Sequence, residues 1–288
     1  MTYTRLDNVI DELRGDNAYA GAKSNEQIMR YIRTVTKRIG GFGWDFEPWY
    51  GAHKITPTRT NVNSSYATLA LDDDLLEVIS ITVGGAAITW GTDIIASPDG
   101  VSPIRVLQIP DPVSGALHSW YGDCSANGYL NSIVITGFWG MRSDYSAEGF
   151  FVSGQVTPGM NATQTTFIVA DVDGADIYYR TPLFSPGNLI RIENELLAIT
   201  AVDTTTNTLT VQRGANGSTA AAHLVALPIL IWQPEQDIEM IATRQSCLLY
   251  ARRGSYQEVS TYPDGTNVTF PSDLLAEVRA CVQRFNYA

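Results

Sequence analysis

The sequence predicts an α+β protein in which a helical bundle, formed by both termini, carries inserted antiparallel β-sandwich or barrel modules. Three observations predict it. Residues 4–14, 24–39, 234–253 and 272–285 repeat apolar side chains at helical spacing. Residues 46–233 are instead rich in Gly, Thr, Val and Ile, with turn signals throughout. Charge divides in the same way: 7 basic and 17 acidic residues lie between 46 and 233, against 7 and 6 before that stretch and 5 and 7 after it. The expected organisation is a helical part at 1–45, a β-sandwich-like domain at 46–150, a small inserted β domain at 151–233 and a second helical part at 234–288.

The first helix is expected to open at Thr4-Arg5-Leu6-Asp7, with the Thr4 hydroxyl as cap and an acid in the first turn. Leu6, Val9, Ile10 and Leu13 follow at i, i+3, i+4 and i+7, and Gly15 supplies the stop. Ser24-Asn25-Glu26-Gln27 reads as a capping box for the second helix. Its apolar stripe is Ile28, Tyr31, Ile32, Val35 and Ile39, and its opposite face carries Arg30, Arg33, Lys37 and Arg38. Pro234 suits a first helical turn, with Ile238, Ile241, Ala242, Leu248 and Leu249 behind it. Ser272-Asp273 caps a last helix with Leu275, Val278, Val282 and Phe285 on one face, so the last two helices form a hairpin. No such stripe is stable alone, so the helices of the two termini are expected to share one small core.

Between them, strands are expected at 68–71, 76–83, 86–89, 105–109 and 132–137, with Gly84-Gly85 as a hairpin turn. A second set is expected at 166–170, 188–192, 195–202, 208–212 and 226–232.

At 288 residues, with 44% apolar and 17% charged side chains, the chain reads as an ordinary globular protein. It has no apolar run of the roughly 20 residues that span a bilayer, and its N-terminus does not read as a secretory signal. Cys124, Cys247 and Cys281 are widely spaced, which suits buried thiols in a reducing cytoplasm. The acidic middle disfavours a nucleic-acid-binding role.

Catalysis is not expected. His53, His118 and His223 lie in separate segments, and no nucleophile elbow, zinc-protease helix or phosphate-cradling loop occurs. Asp72-Asp73-Asp74 with Glu77 reads as a charged turn feeding a strand rather than a calcium site. Asp171-Val172-Asp173-Gly174-Ala175-Asp176 starts like a calcium loop but places Pro182 where the closing Glu belongs, so a turn held by Asx hydrogen bonds is expected. No metal or cofactor is expected. Trp44, Trp49, Trp90, Trp120, Trp139 and Trp232 are expected in cores and interfaces, with a sugar-stacking platform as the alternative.

The most informative segment runs from Pro186 to His223. Gly187-Asn188-Leu189-Ile190-Arg191-Ile192 and Glu195-Leu196-Leu197-Ala198-Ile199 form a strand pair, followed by Leu209-Thr210-Val211-Gln212-Arg213-Gly214-Ala215-Asn216-Gly217-Ser218. Read physically, this is a hairpin with Ile190 and Ile192 on one face and a third strand ending in an Arg-Gly-x-x-Gly turn. The pattern resembles a small β module of tailed-bacteriophage virion proteins. Residues 133–141 and 71–78 resemble segments of phage head-tail connector (adaptor) proteins.

That resemblance implies a virion neck protein: a homo-oligomeric, dodecameric ring beneath the portal through which genomic DNA passes without specific binding. Its partners would be the portal protein and a neighbouring neck or tail-completion protein, with no membrane. Arg213 and His223 would be scaffold residues of the module's loop. Arg279, Arg284, Phe285 and Tyr287, in the C-terminal segment, are the expected portal-docking residues. The alternative expectation is a carbohydrate- or receptor-binding β protein of the phage tail.

Overall fold

The computed structural model describes residues 2–21, 24–41, 46–55, 62–63, 68–97, 103–110, 133–140, 149–177, 179–252, 259–261, 267–269, 276, 278, 280 and 281. Helices α1 (Leu6–Gly15), α2 (Asn25–Gly40) and α3 (Gln236–Ala251) occupy the ends, where their periodicity places them. The described residues are nevertheless mostly β, with 42% strand against 23% helix. The expected helical bundle with inserted modules is therefore corrected.

The first sheet has seven strands: β1 (Trp49–Ile55), β2 (Val62–Asn63), β3 (Thr68–Val83), β4 (Ala86–Ile88), β5 (Ile95–Ala96), β6 (Ile104–Gln108) and β7 (Ile133–Trp139). Its order is β1-β7-β3-β6-β5, with β2 and β4 also on β3. Gly84 and Gly85 turn β3 into β4 at φ of 59° and 86°, the positive values a tight hairpin needs. The acids Asp72 to Asp74 lie within β3, where the register against β6 shifts between Ala70 and Leu75, and not in a turn. That irregularity leaves Asp72 and Asp73 exposed and lets Asp74 accept two bonds from Arg105, at 3.0 and 3.2 Å.

The second sheet has six strands: β8 (Phe150–Met160), β9 (Thr166–Ile168), β10 (Leu189–Ile192), β11 (Glu195–Asp203), β12 (Thr208–Gln212) and β13 (His223–Trp232). They run in the order β8-β13-β10-β11-β12-β9, with every pairing antiparallel. Ile190 and Ile192 are both buried in its core. A short ribbon of β14 (Val259–Thr261) and β15 (Asn267–Thr269) stands where a plain loop between the last two helices was expected. Of the expected last helix, residues 276, 278, 280 and 281 are helical and the others lie outside the described residues.

The reason no separate bundle forms is where the helical stripes point. Val9, Leu13, Ile28, Ile32 and Tyr250 do make the small core shared by the termini. Val35, Ile39, Ile238 and Ile241 pack instead in one cluster with Leu76 and Phe138 of the first sheet and Phe150, Leu189 and Trp232 of the second. Each such side chain is worth about 1.5–3 kcal/mol when buried, so the helices depend on both sheets as much as on one another.

The expected caps are corrected on the same ground. The Thr4 hydroxyl is drawn to that of Thr243 on α3, at 2.6 Å, and α1 starts after Arg5 without a side-chain cap. Ser24 Oγ donates to the Gly21 carbonyl at 2.5 Å rather than capping α2.

Candidate interaction surfaces

The motif 186–223 folds around one carboxylate. Glu195, at the start of β11, is 1% exposed and receives Arg213 Nε at 2.7 Å, Arg213 Nη2 at 2.8 Å and the backbone N–H groups of Gly214 and Ala221 at 3.0 and 2.9 Å. Arg213 also donates to the carbonyls of Asn161, Gln164 and Ala221. His223 is wedged between Glu195 and Glu193, with each ring nitrogen 2.8 Å from a carboxylate oxygen. Burial by itself would raise the Glu195 carboxyl, but Arg213, the Ala221 and Gly214 N–H groups and His223 bring it down to about 2. Arg213 and His223 thus serve the loop, and every group in the cluster faces another member of it. What the sequence did not reveal is that Glu195 is their common partner.

The Arg-Gly-x-x-Gly turn then joins the two sheets. Gly214 and Gly217 have φ of 59° and 81°, which carries the tip onto β1. There Tyr50 N donates to the Asn216 carbonyl, and Asn216 Nδ2 donates to the Pro48 carbonyl, both at 2.8 Å. A Cβ on Gly217 would stand 2.4 Å from the Tyr50 carbonyl. Gly217→Ala is therefore expected to cost about 2 kcal/mol from its positive φ and the lost joint, read as a lower urea midpoint and faster proteolysis between the sheets. Beside the turn, Arg191 pairs with Glu77 of β3 and lies 3.8 Å from the centre of the Phe138 ring, a second tie between the sheets.

A third buried network ties the N-terminus to the second sheet. Asp176 accepts from Arg180 Nε at 2.9 Å and Gln233 Nε2 at 3.1 Å and lies 3.6 Å from Arg5. Arg180 continues to Glu239 of α3 at 2.8 Å, and Arg5 reaches the Pro182 carbonyl. Asp171 does form the expected Asx turn, its Oδ1 accepting from Asp173 N at 3.1 Å and Gly174 N at 3.0 Å. Among the described residues no group of three or more His, Cys, Asp or Glu side chains is placed to hold a metal.

The other singled-out residues have structural surroundings. His53 sits 5.0 Å from the Trp139 ring and its Nδ1 is 3.2 Å from Asp73, in the first sheet, whereas His223 lies in the second. Trp139 and Trp232 are buried, and Trp49 stacks on Trp139 at 5.6 Å and 15°. Cys247 and Cys281 are both buried. His118, Cys124, Trp44 and Trp120 lie outside the described residues, as do the expected docking residues Arg279, Arg284, Phe285 and Tyr287.

Among the described residues, three sets of side chains face outward. The first is the outer face of α2, where Arg30, Arg33 and Lys37 are exposed. The second is an open groove of about 820 Å³ between α1 and α3, lined by Asp11, Glu12, Asp16, Glu239 and Met240 among others. The third is a set of apolar side chains: Val152 and Val156 of β8 and Leu224 and Val225 of β13 are 50–78% exposed, and Tyr179, on the loop before β10, is 90% exposed. No helix among the described residues is long and apolar enough to cross a membrane. Comparison with known protein families, with curated protein sequences and with solved structures finds no match to this chain.

Proposed function

We propose that the chain is a virion structural subunit, a head-tail connector (adaptor) of a tailed bacteriophage. It forms a ring beneath the portal that links capsid to tail and lets the genome pass. The observation that carries this reading is the 186–223 module, which resembles phage virion proteins and whose Glu195, Arg213 and His223 face inward on one another. Groups held this way fix a loop; they do not present a nucleophile or an acid to a substrate. The module's tip bolts one sheet to the other, which suits a part that bears load between neighbours.

The charge distribution supports the same reading. Asp72, Asp73, Asp173, Glu193 and Asp203 of the acidic middle are exposed, and a surface of that sign repels phosphates instead of neutralising them. A channel lined so would pass DNA without holding it. The helical layer, with its charged faces, supplies the contacts to neighbouring subunits and to the portal.

Electron microscopy of the purified chain mixed with its portal tests the proposal. Closed rings seated coaxially on portal particles are expected. A chain that neither forms rings nor binds portal overturns the reading, and a positive glycan array in that case would favour the receptor-binding alternative.

A further inference from the structure

The exposed face of α2 and the groove between α1 and α3 are oppositely charged surfaces of one chain. We propose that they are the two halves of a head-to-tail contact between copies of this protein: α2 of one copy lies in the α1–α3 groove of the next. The contact rests on the ring reading above but names the surfaces that make it.

The charges are arranged for it. Ile28, Ile32, Val35 and Ile39 form the buried side of α2, and Arg33 and Lys37 fall on the side directly opposite at helical spacing. Arg30 stands on that same side, 2.6 Å from Glu26, so Arg33 and Lys37 are its surplus of positive charge. The groove carries Asp11, which already lies 3.4 Å from Arg14, together with Glu12, Asp16 and Glu239, against two lining cations. One of these, Arg180, is already engaged by Asp176 and Glu239; the other is Arg244. An excess of negative charge remains at the end of α1. Its field is felt inside the layer: burial first, and then Glu12 and Asp16, push the Cys247 thiol up to about 12.

Shape and chemistry match as well. The groove is open to solvent and holds Met240, 46% exposed, an adaptable apolar contact between the charges. At 1.5 Å per residue the 16 residues of α2 span roughly 24 Å, long enough to lie along α1. Because the buried stripe of α2 packs on its own α3, its basic face is turned away and cannot enter its own groove. Only a second copy can bring the two surfaces together. The two halves differ, so the contact is heterologous, and repeating it gives a closed ring or an open filament, never a closed two-fold dimer. Exposed ion pairs are individually weak, so the association is concentration-dependent and falls with salt.

A charge swap on the full-length chain tests this. One variant carries Arg33→Glu and Lys37→Glu, the other Asp11→Lys and Asp16→Lys; all four positions are exposed, and circular dichroism checks that each variant is folded. Sedimentation velocity at about 0.01 M salt, where the screening length is roughly 30 Å, is expected to show each variant associating about tenfold more weakly than the unaltered chain. Mixing the variants in equal amounts is expected to restore assembly, since each supplies the surface the other has reversed. Unchanged association of either variant, or no rescue on mixing, overturns the contact. Rings that form regardless of the reversals overturn it while leaving the neck reading intact. An unaltered chain that stays monomeric at low salt and high concentration overturns the contact, and the neck reading falls with it only if the chain also forms no ring on portal particles.

Discussion

Glu195→Ala is expected to lower the unfolding free energy of the chain by about 3–5 kcal/mol, because it breaks a buried ion pair from one side only. The carboxylate is enclosed, and its removal leaves Arg213 Nε, two backbone N–H groups and one His223 nitrogen without their acceptor. Water cannot replace it at a side chain 1% exposed. The Arg213 end of the cluster would be left as an uncompensated buried charge, which costs more than the pair itself contributes. The same group sets an acid limit. Its carboxyl ionises at about 2 in the folded chain against an ordinary 4.5, so its contribution is complete above pH 4.5 and is lost as the pH falls towards 2. That contribution is on the order of 3 kcal/mol. Urea unfolding of both proteins between pH 6 and pH 2.5 checks this: the gap between them should be wide at the top of the range and narrow at the bottom. A gap that stays constant across it would show that the cluster is not held by the Glu195 charge.

Which parts of this molecule the sequence disclosed follows from the range of the interactions involved. Helices α1, α2 and α3 were legible because Val9, Leu13, Ile28, Ile32 and Ile238 repeat within a few turns of chain. That Val35, Ile39 and Ile241 would pack on Phe138 and Trp232 was not, because periodicity marks a buried face without naming what covers it. The expectation of an independent bundle failed at that step. Strand β8 was missed because Gly154, Pro158 and Gly159 punctuate it; such residues are tolerated there since β8 is the edge of its sheet. In β1, Gly51 and the large Trp49 and Tyr50 hid the alternation that marks a strand. The acids of β3 suggested a turn because their only accommodation is a register shift, which depends on β6 lying alongside. In the 186–223 module the local pattern gave the strands and the turn, and the resemblance implied a scaffold role for Arg213 and His223. Their meeting on Glu195 joins residues up to 28 apart in sequence and became visible only in three dimensions. The four candidate docking residues lie outside the described residues, whereas the basic face of α2 was legible from its spacing as a charged face but not as a contact.

Asp176→Ala is expected to cost as much as the loss of Glu195, about 3–5 kcal/mol, but to loosen a different part of the chain. Asp176 lies on the second sheet's long loop, and the cations it holds belong to the N-terminal segment and to the link with α3. Burial, and then the neighbouring Arg180, already push the Arg5 guanidinium below its ordinary value, with Asp7, Asp176 and Glu239 acting the other way. Without the Asp176 carboxylate, Arg5 and Arg180 face each other with less compensation, and Gln233 loses its acceptor. The least costly relief is for Arg5 to leave, and Thr4 and α1 must move with it, away from Thr243 of α3. Hydrogen exchange should therefore quicken in α1 and in the first turns of α3, while β10 to β12 keep their protection. Asp176→Asn, which retains the shape and one acceptor oxygen, should fall between the two. Protection of α1 unchanged in Asp176→Ala would mean that the helices stand on their own core, as an independent bundle would. The packing of Val35, Ile39 and Ile241 against both sheets argues the opposite: helices that share their core with the β layers cannot keep their stability once the tie to those layers is cut.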